Sequence, residues 1–187
     1  MRVIATYKAK SAGATRAVAK RLATTLVPGD IILLVGDLGA GKTTFVQGLA
    51  EGLGVTDPVT SPTFMLMRVL ECGTDDDTQG GPVRRLLHAD LYRLDQMSEV
   101  VDLGLIELVE DGAVAAVEWG DAGAPAFGTE VLQVDIARSD VATDAADDMD
   151  HKDDTDDTDD DERTVTVSGS ESWEPRAVKI AAAFAST

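Results

Sequence analysis

The chemistry of this 187-residue chain concentrates in Gly36-Asp37-Leu38-Gly39-Ala40-Gly41-Lys42-Thr43. The octet follows the pattern G-x-x-x-x-G-K-[ST]. It comes directly after the apolar run Ile31-Ile32-Leu33-Leu34-Val35 and before a helical pattern through Phe45, Leu49 and Leu53. Strand, glycine turn and helix in that order make a phosphate cradle. The glycines let backbone N–H groups curl around phosphate oxygens, and the helix N-terminus adds partial positive charge. Leu38, Gly39, Ala40 and Gly41 are the loop contacts, Lys42 reaches the β- and γ-phosphates, and the Thr43 hydroxyl completes the oxygen shell of a Mg²⁺ ion. An ordinary glycine-rich turn has no need of Lys and Thr in register. A nucleoside triphosphate site is therefore expected.

Such a loop calls for an acidic partner on a neighbouring strand, because Mg²⁺ takes hard oxygen ligands. Two apolar strands end in a carboxylate. One is Arg85-Leu86-Leu87-His88-Ala89-Asp90, and the other is Ala113-Val114-Ala115-Ala116-Val117 ending at Glu118-Trp119. Ligands of α/β sheets lie beyond the carboxyl ends of parallel strands, so both carboxylates are aimed at the nucleotide. The bland alternatives are a turn cap for Asp90 and a solvated strand end for Glu118. His88 and Asp90 share one strand face, yet no further ligand cluster supports zinc. His88 is expected to hydrogen-bond within the site or its wall. Arg93 suits phosphate charge or a partner contact, and Trp119 suits packing beside the site.

Positioning these residues requires an α/β domain, and the periodicities supply one. A strand near 2–8 precedes a helix near 12–26 with Val18, Leu22 and Leu26 on one face, and Pro28-Gly29-Asp30 ends it. Strands are expected over Thr63–Leu70 and Val83–Asp90, joined by a polar loop, followed by a helix over Ser98–Glu110. The segments 131–138 and 163–169 alternate as the two arms of a hairpin, and a last helix spans Trp173–Phe184. Apolar residues make up 44% of the chain, enough for one domain with its own core. No apolar run approaches membrane-spanning length, the N-terminus reads as a strand rather than a signal peptide, and the lone Cys72 excludes an internal disulfide. A cytoplasmic protein is expected.

The net charge of −18 is mostly local, because residues 139–162 carry thirteen carboxylates and one lysine. This run, including Asp153-Asp154-Thr155-Asp156-Asp157, lacks the glycine turn and spaced ligands of a calcium loop. It reads as a disordered, solvated expansion of the hairpin turn, which costs little because closure entropy grows logarithmically with length. The acidic surface argues against tight direct binding of nucleic acid.

The set GDLGAGKTTF at 36–45, SPTF at 61–64, H-x-D-x-Y-R-L at 88–94, Leu103-Gly104-Leu105 and Glu118-Trp119 closely resembles the TsaE family, also called YjeE. These are bacterial P-loop ATPases required for threonylcarbamoyladenosine formation in tRNA. The resemblance covers almost the whole chain outside 139–162. It implies a P-loop NTPase fold in a single three-layer domain, with a mostly parallel sheet and a C-terminal hairpin. It also implies a Mg²⁺-dependent ATPase that assists TsaD-like and TsaB-like subunits, touches tRNA only through them, and does not itself attach the threonylcarbamoyl group. By the same resemblance Lys42 and Thr43 take the phosphate and Mg²⁺ roles, and Glu118 is the second magnesium-side carboxylate. Asp90 orients water or completes the metal shell. Thr63 senses the γ-phosphate, Thr15 contacts the nucleotide, and Arg163 falls near a nucleotide-side position. Two other readings of the same loop stay open: a small-molecule kinase, and a nucleotide-dependent interaction module with little hydrolysis of its own.

Overall fold

In the computed structural model, seven strands form one sheet in the order β1-β7-β6-β2-β5-β4-β3. The structure describes residues 1–73, 83–93, 99, 102–119, 127–138 and 162–185. The strands are β1 (Arg2–Ala9), β2 (Ile31–Val35), β3 (Met67–Glu71), β4 (Arg85–Asp90), β5 (Val114–Glu118), β6 (Leu132–Arg138) and β7 (Arg163–Gly169). The central strands β6, β2, β5 and β4 are mutually parallel, and only β7 and β3 run against the common direction. The helices are α1 (Ala12–Ala23), α2 (Lys42–Gly52), α3 (Leu105–Glu110) and α4 (Glu174–Ala185). Among the described residues, no helix is long and apolar enough to cross a membrane.

Strand alternation creates two cores, one on each sheet face. Ile32 and Leu34 pack with Val18, Leu22, Phe45 and Leu49 of α1 and α2 and with Ile180 and Phe184 of α4. Ile31 and Leu33 pack on the opposite face with Leu105 and Val109 of α3. Because β2 is buried on both faces, its sequence is apolar throughout rather than alternating. The close seam between α1 and α2 depends on Gly48, where a Cβ would stand 2.2 Å from the Arg16 carbonyl oxygen and 2.8 Å from Ala19 Cβ.

The hairpin expected at 131–138 and 163–169 is present as β6 and β7, antiparallel from Leu132↔Gly169 to Arg138↔Arg163. The acidic run expected to be disordered lies, but for Glu162, outside the described residues, as does nearly all of the polar loop before β4.

Three expected elements differ in extent. The helix expected at 12–26 ends at Ala23, because the Thr24 and Thr25 hydroxyls donate to the Arg21 and Leu22 carbonyls at 2.8 Å each. The strand expected from Thr63 begins only at Met67. The amides of Met65 and Leu66 both donate to the Pro62 carbonyl at 2.8 and 2.7 Å, and Leu66 turns the chain with φ 65°. The helix expected over Ser98–Glu110 is interrupted at Gly104, whose φ of 66° starts α3 afresh at Leu105. Of its earlier part, 98, 100 and 101 lie outside the described residues.

Candidate nucleotide site

Three parallel strands deliver the candidate site to one sheet edge. The glycine loop leaves the end of β2, while register pairs Leu34 with Glu118 and Glu118 with Asp90 at the ends of β5 and β4. Position 36 must be glycine: its φ is 151°, and a Cβ there would meet the Ile136 carbonyl oxygen at 2.3 Å. Gly41 precedes α2 with φ 107°, so α2 opens with Lys42 and Thr43 at its positive end.

Lys42 is 5% exposed, unusual for a lysine. Its Nζ donates to the carbonyls of Gly36 (2.7 Å) and Asp37 (2.9 Å) and sits 3.7 Å above the centre of the Trp119 ring. Trp119 is held at φ 58°, a costly conformation for a bulky residue, and its ring lies 4.9 Å from that of Tyr92. Thr43 Oγ1 donates to Glu118 Oε1 at 2.7 Å. His88 Nε2 meets the same oxygen at 2.8 Å.

Asp90 is buried and fully engaged. Its Oδ2 accepts from Ser61 Oγ at 3.2 Å and from the Thr63 hydroxyl in a short contact, while Oδ1 accepts the Tyr92 amide at 3.0 Å. The loop carrying Ser61 and Thr63 is thereby tied to the end of β4. A cleft of about 370 Å³ opens over these groups, lined by Leu38, Lys42, Thr43, Thr63, Asp90 and Glu118 among others.

A second hollow of about 160 Å³ borders the same loop. It brings Thr15 of α1 and Arg163 of β7 together with Gly39, Ala40, Gly41 and Thr44. Thr15 is buried, its Oγ1 bonding the Ser11 carbonyl at 3.3 Å, and Arg163 Nε donates to the Ala40 carbonyl at 3.0 Å. Every residue singled out for the loop, the carboxylates and the flanking contacts thus lines one of these two hollows. Arg93 does not: its guanidinium covers the Phe64 ring at 4.5 Å.

Sequence reasoning missed three features. Ser61 shares Asp90 with Thr63, Thr44 borders both hollows, and Trp119 faces Lys42 directly. The SPTF segment and Glu118-Trp119 pointed to the neighbourhood, but the pairings depend on strand register.

A glycine loop between a parallel strand and a helix, faced by a carboxylate at the end of the adjacent strand, defines the P-loop NTPase class. The family model for threonylcarbamoyl adenosine biosynthesis protein TsaE matches residues 9–146, and the chain belongs to the TsaE family. It is 38% identical over 169 residues to the tRNA threonylcarbamoyladenosine biosynthesis protein TsaE of Streptomyces coelicolor, covering 89% of this chain and 99% of that protein. The TsaE protein of Bacillus subtilis is 43% identical over 125 residues, 67% of this chain and 72% of the relative. The crystal structure of Bacillus subtilis YdiB superposes with a TM-score of 0.65 at 30% identity, over 95% of this chain and 93% of that one.

Proposed function

We propose that this chain is a Mg²⁺-dependent ATPase that serves threonylcarbamoyladenosine formation on tRNA in the cytoplasm, as an accessory to TsaD-like and TsaB-like subunits. One observation carries the reading: at the mouth of the glycine loop, the Thr43 hydroxyl and the Glu118 carboxylate are 2.7 Å apart, beside Lys42 at the start of α2. The donor set suits Mg²⁺, which takes one or two protein oxygens together with phosphates and water rather than an all-protein cage. Thr43 and Glu118 would hold the ion, which when bound neutralises charge on the phosphates.

The chain's own groups divide the remaining work. Loop amides from Leu38 to Thr43 bind phosphate oxygens at the helix N-terminus. Lys42 exchanges its contacts with the Gly36 and Asp37 carbonyls for the β- and γ-phosphates. Asp90 orients the attacking water once the Ser61 and Thr63 hydroxyls turn toward the γ-phosphate. Thr15 and Arg163 contact the nucleotide from the second hollow. A net charge of −18 disfavours direct tRNA binding, so tRNA is reached through the partners.

A second reading, a nucleotide-dependent interaction module with little hydrolysis alone, is favoured by the engagement of Lys42 and Asp90 with the protein itself. Reconstitution decides between them. Purified chain, TsaD-like and TsaB-like subunits and tRNA are assayed together for ATP hydrolysis and for modified adenosine. The ATPase reading expects hydrolysis that rises with the partners and modification that stops without ATP. Modification sustained equally by a non-hydrolysable analogue would establish the interaction module instead.

A further inference from the structure

His88 has no exposed surface, and nothing in the proposed chemistry so far uses it. It sits on the central strand β4, paired across the sheet with Ala116 of β5 and Arg68 of β3. Apolar side chains surround it in sequence, and the site's own carboxylate, Asp90, follows two residues later on the same strand face. Its Nε2 lies 2.8 Å from Glu118 Oε1, whereas Nδ1 is buried and has no hydrogen-bond partner among the described residues. Burying a polar ring with one nitrogen unpaired costs free energy that an apolar residue would not. Among the described residues, the ring's polar contact is the carboxylate that also receives the Thr43 hydroxyl.

We propose that His88 is a positioning residue for Glu118, fixing the carboxylate so that Oε1 orients the Thr43 hydroxyl toward a bound divalent cation. The tautomer follows from the contact, since an ionised carboxylate only accepts and Nε2 must therefore carry the proton. Two donors then converge on Oε1, Thr43 from α2 and His88 from β4. With its proton committed to Glu118, the Thr43 oxygen presents its lone pairs outward to the cleft. Groups that orient metal-binding side chains in this way matter for affinity although they never touch the ion. This inference rests on the reading of Thr43 and Glu118 as the cation's holders.

The test compares His88→Gln with His88→Asn. Both are amides, but only Gln is long enough to place a donor nitrogen where Nε2 stands. The readouts are ADP affinity by calorimetry with and without Mg²⁺, the affinity for Mn²⁺ in the presence of ADP by electron paramagnetic resonance, and thermal melting. His88→Asn should weaken Mn²⁺ binding by about 10–100-fold, leave metal-free ADP affinity within about twofold, and lose its effect in a Glu118→Ala background. His88→Gln should recover most of the cation affinity. Wild-type cation affinity in both variants, or equal losses in both that track melting alone, would overturn the positioning role. A wild-type protein whose ADP binding ignores Mg²⁺ would instead overturn the cation site and the role of His88 with it.

Discussion

Thr43 and Glu118 stand 75 positions apart in the chain and meet through a 2.7 Å hydrogen bond where α2 begins and β5 ends. The bond joins the phosphate cradle to the neighbouring strand. It gives Glu118 a role separable from that of the cradle. Glu118→Ala is expected to slow single-turnover hydrolysis with partners present by about 100-fold, while ATP affinity changes by less than about tenfold. An unchanged rate, with Asp90→Ala abolishing turnover, would exchange the roles of the two carboxylates.

The seam between α1 and α2 makes an opposite prediction from helix propensity. Alanine is the better helix former by about 1 kcal/mol, yet at position 48 its Cβ would lie 2.2 Å from the Arg16 carbonyl oxygen. Overpacking against backbone costs about 1–3 kcal/mol, so Gly48→Ala should be net destabilising and lower the melting temperature by several degrees. A rise in melting temperature would show that the seam separates easily.

Replacing residues 139–162 by an Asn-Gly turn should preserve the fold and ATP binding. β6 and β7 remain in register up to Arg138↔Arg163, where a two-residue turn closes an antiparallel pair. The Lys8–Glu162 ion pair at 3.9 Å is lost, with the Lys8 side chain largely exposed, and such pairs contribute little. Circular dichroism, melting and calorimetry check this. Intact ATP binding with abolished tRNA modification would make the acidic run a partner-binding element.

These predictions lean unevenly on what the sequence shows. The glycine loop was legible because its chemistry is local: eight consecutive residues, an apolar strand before them and a helix after. The strand-end carboxylates were legible too, since parallel strands bring their carboxyl ends to one edge. The pairings of His88 with Glu118, of Ser61 with Asp90 and of Lys42 with Trp119 were not, because each depends on register between distant segments. Thr63–Leu66 misled for a local reason. Its apolar residues suit a strand, but Phe64 is 86% exposed and the turn around Pro62 directs the Thr63 hydroxyl to Asp90.

Burial and the adjacent Glu71 carboxylate push the Cys72 thiol from 9.0 up to about 11. A thiolate fraction lowered by about two powers of ten should make native Cys72 react with iodoacetamide at pH 8 about 100-fold more slowly than the urea-unfolded chain. The sign for stability follows. The neutral thiol favours the folded state, so its contribution is complete below the unfolded value near 9.0 and is lost as pH rises through about 11. Equal alkylation rates in folded and unfolded protein would contradict the burial.

Calorimetric titration of wild type and Lys42→Ala with ATP and Mg²⁺ asks whether the loop from Gly36 to Thr43 binds the nucleotide through Lys42. Lys42 is bonded to the Gly36 and Asp37 carbonyls, so melting must be recorded alongside, and a modest decrease is expected from those lost contacts. Saturable binding by wild type is expected, with an affinity at least about 100-fold weaker in a folded Lys42→Ala protein. Wild-type affinity in the mutant, or no ATP binding by the wild-type chain, would contradict it.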